Sequence, residues 1–296
     1  MAQREHAVNE IVLHVGMRST QRPPGNFKNT NVSKGEHMPL VKHKIKRYGW
    51  VADTPDFRDH LYGAPVAALV KLPPKVDLRP QCPKTIYDQG QLGSCTGNAI
   101  ACAMQFNRMK LKRKPNFIPS RLFIYYNERD IEDTIASDSG AQIRDGIKSV
   151  AKLGDCPETD WPYDISKFAT KPPAQCYTKA AKYKTVLYQR VSQSLNQMKG
   201  CLASGFPFVF GFSVYDSFES AAVARSGVVP MPGATEKQIG GHAVLAVGYD
   251  DKEQRFLVRN SWGPKWGIGG YFTMPYAYMT DSNLADDLWT IRVVAS

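Results

Sequence analysis

Asp88-Gln-Gly-Gln-Leu-Gly-Ser-Cys95-Thr-Gly-Asn-Ala99 is the stretch from which the rest of this 296-residue chain is best read. Gly90 and Gly93 let the backbone turn tightly and approach a ligand. Ser94 stands as an N-cap for a helix that opens at Cys95 and carries Ala99, Ile100, Ala103, Met104 and Phe106 on its buried side. A thiol in the first turn of a helix meets the positive end of the macrodipole, which favours thiolate and lowers its pKa. That placement suits a nucleophile. A small buried cysteine in a core helix fits the same residues, so this stretch alone leaves both readings open.

Downstream, helical spacing continues. Pro119-Ser120 opens a second helix with Leu122, Phe123 and Tyr126. A third places Ile143, Ile147, Val150 and Ala151 on one face and stops at Gly154. Ser192 to Gly205 reads as a fourth, through Leu195, Met198 and Leu202. The period then becomes that of strands: Phe208 to Val214, His242 to Tyr249, Arg255 to Arg259, Gly270 to Met274 and Leu288 to Val294. Helices first and strands second predict an α+β architecture with two lobes.

Composition bounds the function. The formal charge is +11, with 43% hydrophobic and 22% charged residues, the balance of a globular protein. No run approaches the ~18 apolar residues of a membrane span, so no membrane partner is expected. Residues 1–70 carry a net +4 and residues 71–296 a net +7. The densest basic runs are Lys42-His-Lys-Ile-Lys-Arg47 and Lys110-Leu-Lys-Arg-Lys114. Neither has the interleaved aromatics of a single-strand binder. Solvated faces are the commoner fate of such runs, so nucleic acid is not expected as a partner. The N-terminus carries acidic residues and a broken apolar run, a poor signal peptide. Cysteines at 82, 95, 102, 156, 176 and 201 show no C-x-x-C pair and no metal-ligand rhythm; no metal or cofactor is expected.

Histidine is the informative residue. Five of six lie before residue 70, leaving His242 alone in 71–296. Acid–base chemistry there through an imidazole near neutral pH has no other candidate. It sits in Ile239-Gly-Gly-His242-Ala-Val-Leu-Ala-Val-Gly-Tyr249. A third segment, Phe256-Leu-Val-Arg-Asn260-Ser-Trp262-Gly-Pro-Lys-Trp266-Gly-Ile-Gly-Gly270, sets an amide at a strand end beside two indoles. It reads either as a packed glycine-rich turn or as an amide that orients an imidazole, shielded from water by an indole.

Together the three segments resemble the papain-like cysteine peptidases, in a form that looks bacterial. His242 lies 147 residues and Asn260 165 residues after Cys95, in the family's order. Val76-Asp77-Leu78-Arg79 matches the family's usual mature start, and Asn-Ser-Trp-Gly at 260–263 is its most specific motif. The resemblance implies a papain-like two-lobed fold. A helical lobe would span about 86–185 and an antiparallel β-barrel-like lobe about 186–280, with the active site in the cleft between. It implies a cysteine endopeptidase acting through a thioester acyl-enzyme. Cys95 would be the nucleophile, His242 the acid/base and Asn260 its orienter. Gln89 would hold the oxyanion with the Cys95 backbone N–H, and Trp262 would be the lid over the His–Asn pair. Gly140-Ala141 and Gly240-Gly241 would line the substrate. Two departures stand out: Leu92 replaces a disulfide-forming cysteine, and Thr96 replaces an aromatic. The missing staple and signal peptide point to the cytoplasm.

Residues 1–70 form an N-terminal extension to the peptidase domain at 71–296. Residues 17–38 read as an extended arm, and order is expected from near Tyr48-Gly-Trp50. The family's zymogens imply that part of residues 20–65 covers the site and that the chain restrains itself; a targeting or linker arm is the plainer alternative. Peptide or protein substrates and a monomer are expected. A thiol acyltransferase (transglutaminase-like) would use the same Cys/His logic with an amine acceptor. A non-catalytic papain-fold binding protein is disfavoured, since every catalytic residue type is present.

Overall fold

The computed structural model describes residues 48–294; the arm at 17–38 and the basic run Lys42 to Arg47 lie outside the described residues. The helical half is built on Cys95–Lys110, Arg121–Ile131 and Ile143–Leu153. The sheet half runs in the order Leu61–Tyr62, Thr185–Val191, Ala285–Val294, Phe208–Tyr215, Gln238–Asp250, Arg255–Arg259 and Tyr271–Pro275. Lys75–Asp77 pairs onto Gln238–Asp250 as an eighth strand. Its pairings are antiparallel except for Leu61–Tyr62 on Thr185–Val191. The α+β reading holds.

The helix Cys95–Lys110 was expected to bury one side, but it is buried all round from Cys95 to Arg108. It lies between the other helices and the sheet, sharing one apolar core with Phe208, Phe210, Val244 and Trp289. Gly97 lets it lie close to its neighbour, since a Cβ there would come 2.8 Å from the Arg121 carbonyl oxygen. Ser94 precedes the helix as expected, yet its side chain does not cap it. Its hydroxyl bonds Tyr163 instead and accepts from Asn98 Nδ2 at 3.1 Å. Ser120 does cap, accepting from the Phe123 N–H at 3.2 Å. Leu92, in the place of the absent cysteine, is buried in a second apolar cluster with Leu122, Phe123 and Trp161.

Sequence reading missed the strand Thr185–Val191. Its alternation is masked by Arg190, whose charge is used inside the protein. Arg190 bonds Asp53 at 3.1 Å, Asp59 at 3.2 Å, Asp286 at 3.3 Å and Asp287 at 2.8 Å. Arg144 adds a second ion pair to Asp59 at 2.5 Å. Two guanidiniums thus meet four carboxylates. Asp53 and Asp59 come from residues 48–62, a strap that crosses the face where the two halves meet. Trp50 and Val51 pair in parallel with Ala141 and Gln142. Asp53 also accepts from the Arg144 N–H at 3.0 Å and the Trp289 indole at 2.9 Å.

Burial raises Asp53 above its ordinary value, against the pull of those donors. Burial, then the charge of Asp53, pushes Asp287 up to about 6. An aspartate raised on folding stabilises least once it ionises, so its contribution is full below about pH 4. That contribution is lost as pH climbs through about 6. Asp287→Asn should therefore gain stability relative to the parent between about pH 4 and 7, read as the difference in urea midpoints. A difference that stays flat across that window would show that Asp287 ionises in the fold without cost.

Candidate active site

Cys95 opens its helix fully buried. The backbone N–H groups of Ala243, Gly49 and Thr96 act on its thiol and draw its pKa down. The sulfur therefore lies against the residue that follows His242 on strand Gln238–Asp250. His242 is also fully buried, and its two nitrogens have different surroundings. Nε2 meets Asn260 Oδ1 at 2.8 Å. The same oxygen accepts the Ser261 N–H at 2.8 Å, which fixes the amide the right way round. An amide oxygen only accepts, so Nε2 carries the proton in the neutral ring. Nδ1 is then the basic nitrogen, and among the described residues it has no hydrogen-bond partner.

The glycine-rich turns bring the remaining groups in. Gln89 N–H donates to the Ser261 carbonyl at 2.9 Å and Gly263 N–H to that of Tyr87 at 2.9 Å. This stitches the Gln89 loop to the Asn260–Trp262 loop. Ser261 Oγ donates to Gln89 Oε1 at 2.7 Å, and Gln89 Nε2 donates one hydrogen to the Leu92 carbonyl at 3.0 Å. The amide has a second hydrogen to offer. Trp262 lies over His242, ring centroids 5.1 Å apart and planes inclined by 32°. Phe218 and Trp266 back the indole at 5.3 and 5.1 Å. Beneath the site Thr96 donates to buried Glu128 at 2.5 Å, which is what the missing aromatic makes room for.

The strap occupies this cleft. Gly49 is wedged between two other glycines: a Cβ on it would lie 1.6 Å from the Gly93 carbonyl oxygen, and one on Gly140 would lie 2.3 Å from that of Gly49. Ala141 N–H donates to the Gly49 carbonyl at 2.8 Å. Tyr48 packs against Gly240 and edge-on to His242, with its hydroxyl on Glu219. Trp50 packs against Gly241. The structure thus brings Cys95, His242, Asn260, Gln89 and Trp262 together and lays the strap along Gly140, Ala141, Gly240 and Gly241. Sequence reading missed Ser261, though it lies inside the quoted Asn260-Ser-Trp262 motif. It also named no strap residue as a site residue, since Tyr48, Gly49 and Trp50 carry no local chemistry.

The expectation of a lowered thiol pKa does not hold in this covered state. Burial pushes Cys95 up to about 12, against the three backbone donors, and pushes His242 down to about 4, against its bond to Asn260. With water excluded, the loss of solvation outweighs the field of the helix start. Thiol and imidazole are both neutral here. Among the described residues no group of three or more His, Cys, Asp or Glu side chains could hold a metal ion. No helix among them is long and apolar enough to cross a membrane.

Comparison with known proteins agrees with this geometry. The crystal structure of xylellain, a cysteine protease from Xylella fastidiosa, is 49% identical, with 86% of this chain and 98% of that chain covered and a TM-score of 0.80. An uncharacterised peptidase C1-like protein of Acanthamoeba polyphaga mimivirus is 45% identical over 84% of this chain and 88% of its own length. Procathepsin L 3 of Tenebrio molitor shares the fold at 19% identity and a TM-score of 0.62, covering 80% and 75% of the two chains. Residues 72–290 match the papain family cysteine proteases, and the chain belongs to that family, as a hydrolase of peptide bonds.

Proposed function

We propose that Cys95 is the nucleophile of a cysteine endopeptidase, with His242 as its acid/base and Asn260 as the group that orients the ring. The observation that carries this is His242 Nε2 held by Asn260 Oδ1, which leaves Nδ1 as the basic nitrogen, with Cys95 at a helix start near Ala243, the next residue after His242 on its strand. With the cleft hydrated, the thiol gives its proton to Nδ1 and the thiolate attacks a peptide carbonyl. The second Gln89 amide hydrogen and the Cys95 backbone N–H hold the oxygen that becomes negative. His242 then protonates the departing amine, and water, with the same ring as base, releases the acyl group from sulfur. Gly140, Ala141, Gly240 and Gly241 line the substrate, and Trp262 keeps water from the His–Asn pair. Tyr48 on one side of the sulfur and residues 50–53 on the other support cutting within a chain.

We further propose that the strap makes the full chain self-inhibited. The Gly49 carbonyl is held by the Ala141 N–H, and Tyr48 and Trp50 pack on Gly240 and Gly241, so the strap fills the cleft as an obstruction. The relatives in Xylella fastidiosa and a giant virus leave a bacterial source as our reading of the first. Six free buried cysteines support a reducing compartment such as the cytoplasm.

Cys95→Ala should abolish hydrolysis of denatured protein, while Gln89→Ala should lower kcat by about 10²–10³, the scale for one oxyanion donor. A Gln89→Ala enzyme within twofold of the parent would remove that residue from the mechanism. A methyl on Gly49 has no room beside Gly93, so Gly49→Ala should lift the strap and raise full-chain activity by about tenfold or more, the effect of about 1.4 kcal/mol lost from the closed state. Activity unchanged by that substitution would dismiss the strap as the restraint.

A further inference from the structure

Two buried thiols in the helical half take no part in the chemistry of the cleft. Cys156 follows the helix Ile143–Leu153, and Cys176 lies on the helix Ala174–Ala180. Both are buried in the apolar cluster that also holds Leu122, Phe123 and Trp161. Contacts on either side of Cys156 bring the two segments together. Before it, a Cβ on Gly154 would come 1.8 Å from the Ala180 carbonyl oxygen. After it, the Asp160 and Trp161 N–H groups fold back onto the Pro157 carbonyl at 2.9 and 3.4 Å. The Asp160 carbonyl then accepts from Cys176 Sγ at 3.7 Å, and its carboxylate accepts from Lys179 at 2.5 Å. Cys156 is thus bracketed by two contacts to the short helix that bears Cys176. Burial raises both thiols, and each also acts on the other, Cys176 pushing Cys156 up and Cys156 drawing Cys176 down.

We propose that Cys156 and Cys176 are a modification site: a dithiol that exchanges with a low-molecular-weight disulfide, such as oxidised glutathione, and closes to a disulfide of its own. The Cys176 thiolate attacks one sulfur of the small disulfide, forming a mixed disulfide and expelling one small thiolate. The Cys156 thiolate then attacks the Cys176 sulfur, and the second small thiolate leaves. The two leaving thiolates end as thiols, carrying the protons that the cysteines gave up. The protein is oxidised by two electrons, and the small disulfide is reduced to two thiols. What the new bond fastens is the excursion 157–175. This segment carries Tyr163, whose hydroxyl donates to the Gln89 carbonyl at 3.0 Å and bonds Ser94, the neighbour of Cys95. Its other ties are polar: Glu158 pairs with Arg121 at 2.7 Å, and the Trp161 carbonyl accepts from the Ser120 hydroxyl at 2.7 Å. A disulfide across the base removes chain entropy from the opened state and steadies the support of the Gln89 loop. The pair stays reduced where the small thiols are reduced and closes where they are oxidised.

The test uses the full chain, purified reduced and then held for days with millimolar oxidised glutathione. Digestion without reductant and mass spectrometry should find one crosslinked pair of peptides, joining Cys156 to Cys176. The oxidised chain should melt about 5 °C or more above the reduced chain, the scale for closing a loop of about 20 residues. Dithiothreitol should return both the masses and the midpoint to those of the reduced chain. Amide hydrogen exchange across residues 157–175 should slow about tenfold on oxidation. Cys156→Ser and Cys176→Ser should each abolish the crosslink and the rise in midpoint. A glutathione adduct left on either cysteine, two unmodified thiols, or a crosslink between another pair such as Cys82 and Cys102 overturns the proposal. So does a midpoint that still rises in the Cys176→Ser chain, or a crosslink that leaves exchange in 157–175 unchanged.

Discussion

One amide oxygen decides how this site works. Asn260 Oδ1 accepts from both His242 Nε2 and the Ser261 N–H, and it has nothing to donate. The ring is thereby committed to one tautomer, with Nδ1 as its basic nitrogen. The turn that holds Asn260 is tied to the loop bearing Gln89 by backbone bonds and by the Ser261 hydroxyl. The orientation of the imidazole and the position of the oxyanion donor are consequently set by the same few atoms. A shift in that turn would disturb both at once.

Coverage by the strap sets the other half of the chemistry. Burial holds sulfur and imidazole in their neutral forms, although the helix start and three N–H groups favour thiolate. The charged pair needs solvent or a polar substrate in the cleft. The same segment that blocks entry thus also withdraws the conditions for ionisation. It is held by buried carboxylates and guanidiniums at one end and by packing of glycine on glycine over the sulfur.

The fold and the central residues were legible because each left a local signature. Hydrophobic period changes from helix to strand along the chain, Ser120 and Gly154 mark real helix ends, and the single histidine of the domain stands before an apolar strand. What stayed hidden depends on partners distant in sequence. Ser94 looked like a cap, but Tyr163 and Asn98 claim its hydroxyl. Arg190 broke a strand pattern because its charge is matched by Asp53 and Asp287, roughly a hundred or more residues away on either side. Trp50 gave no sign of its place, since an indole in a polar stretch says nothing about two glycines and a carboxylate that receive it.

The three glycines at 49, 93 and 140 define a slit one main chain thick. Such a gauge admits only a ribbon in extended form, with side chains turned out of its plane. A helix is too wide to enter, and so is a strand still paired in its own sheet. Well-folded proteins would thus escape until some stretch comes loose, which makes the slit a sensor of disorder in its targets before any pocket reads their sequence.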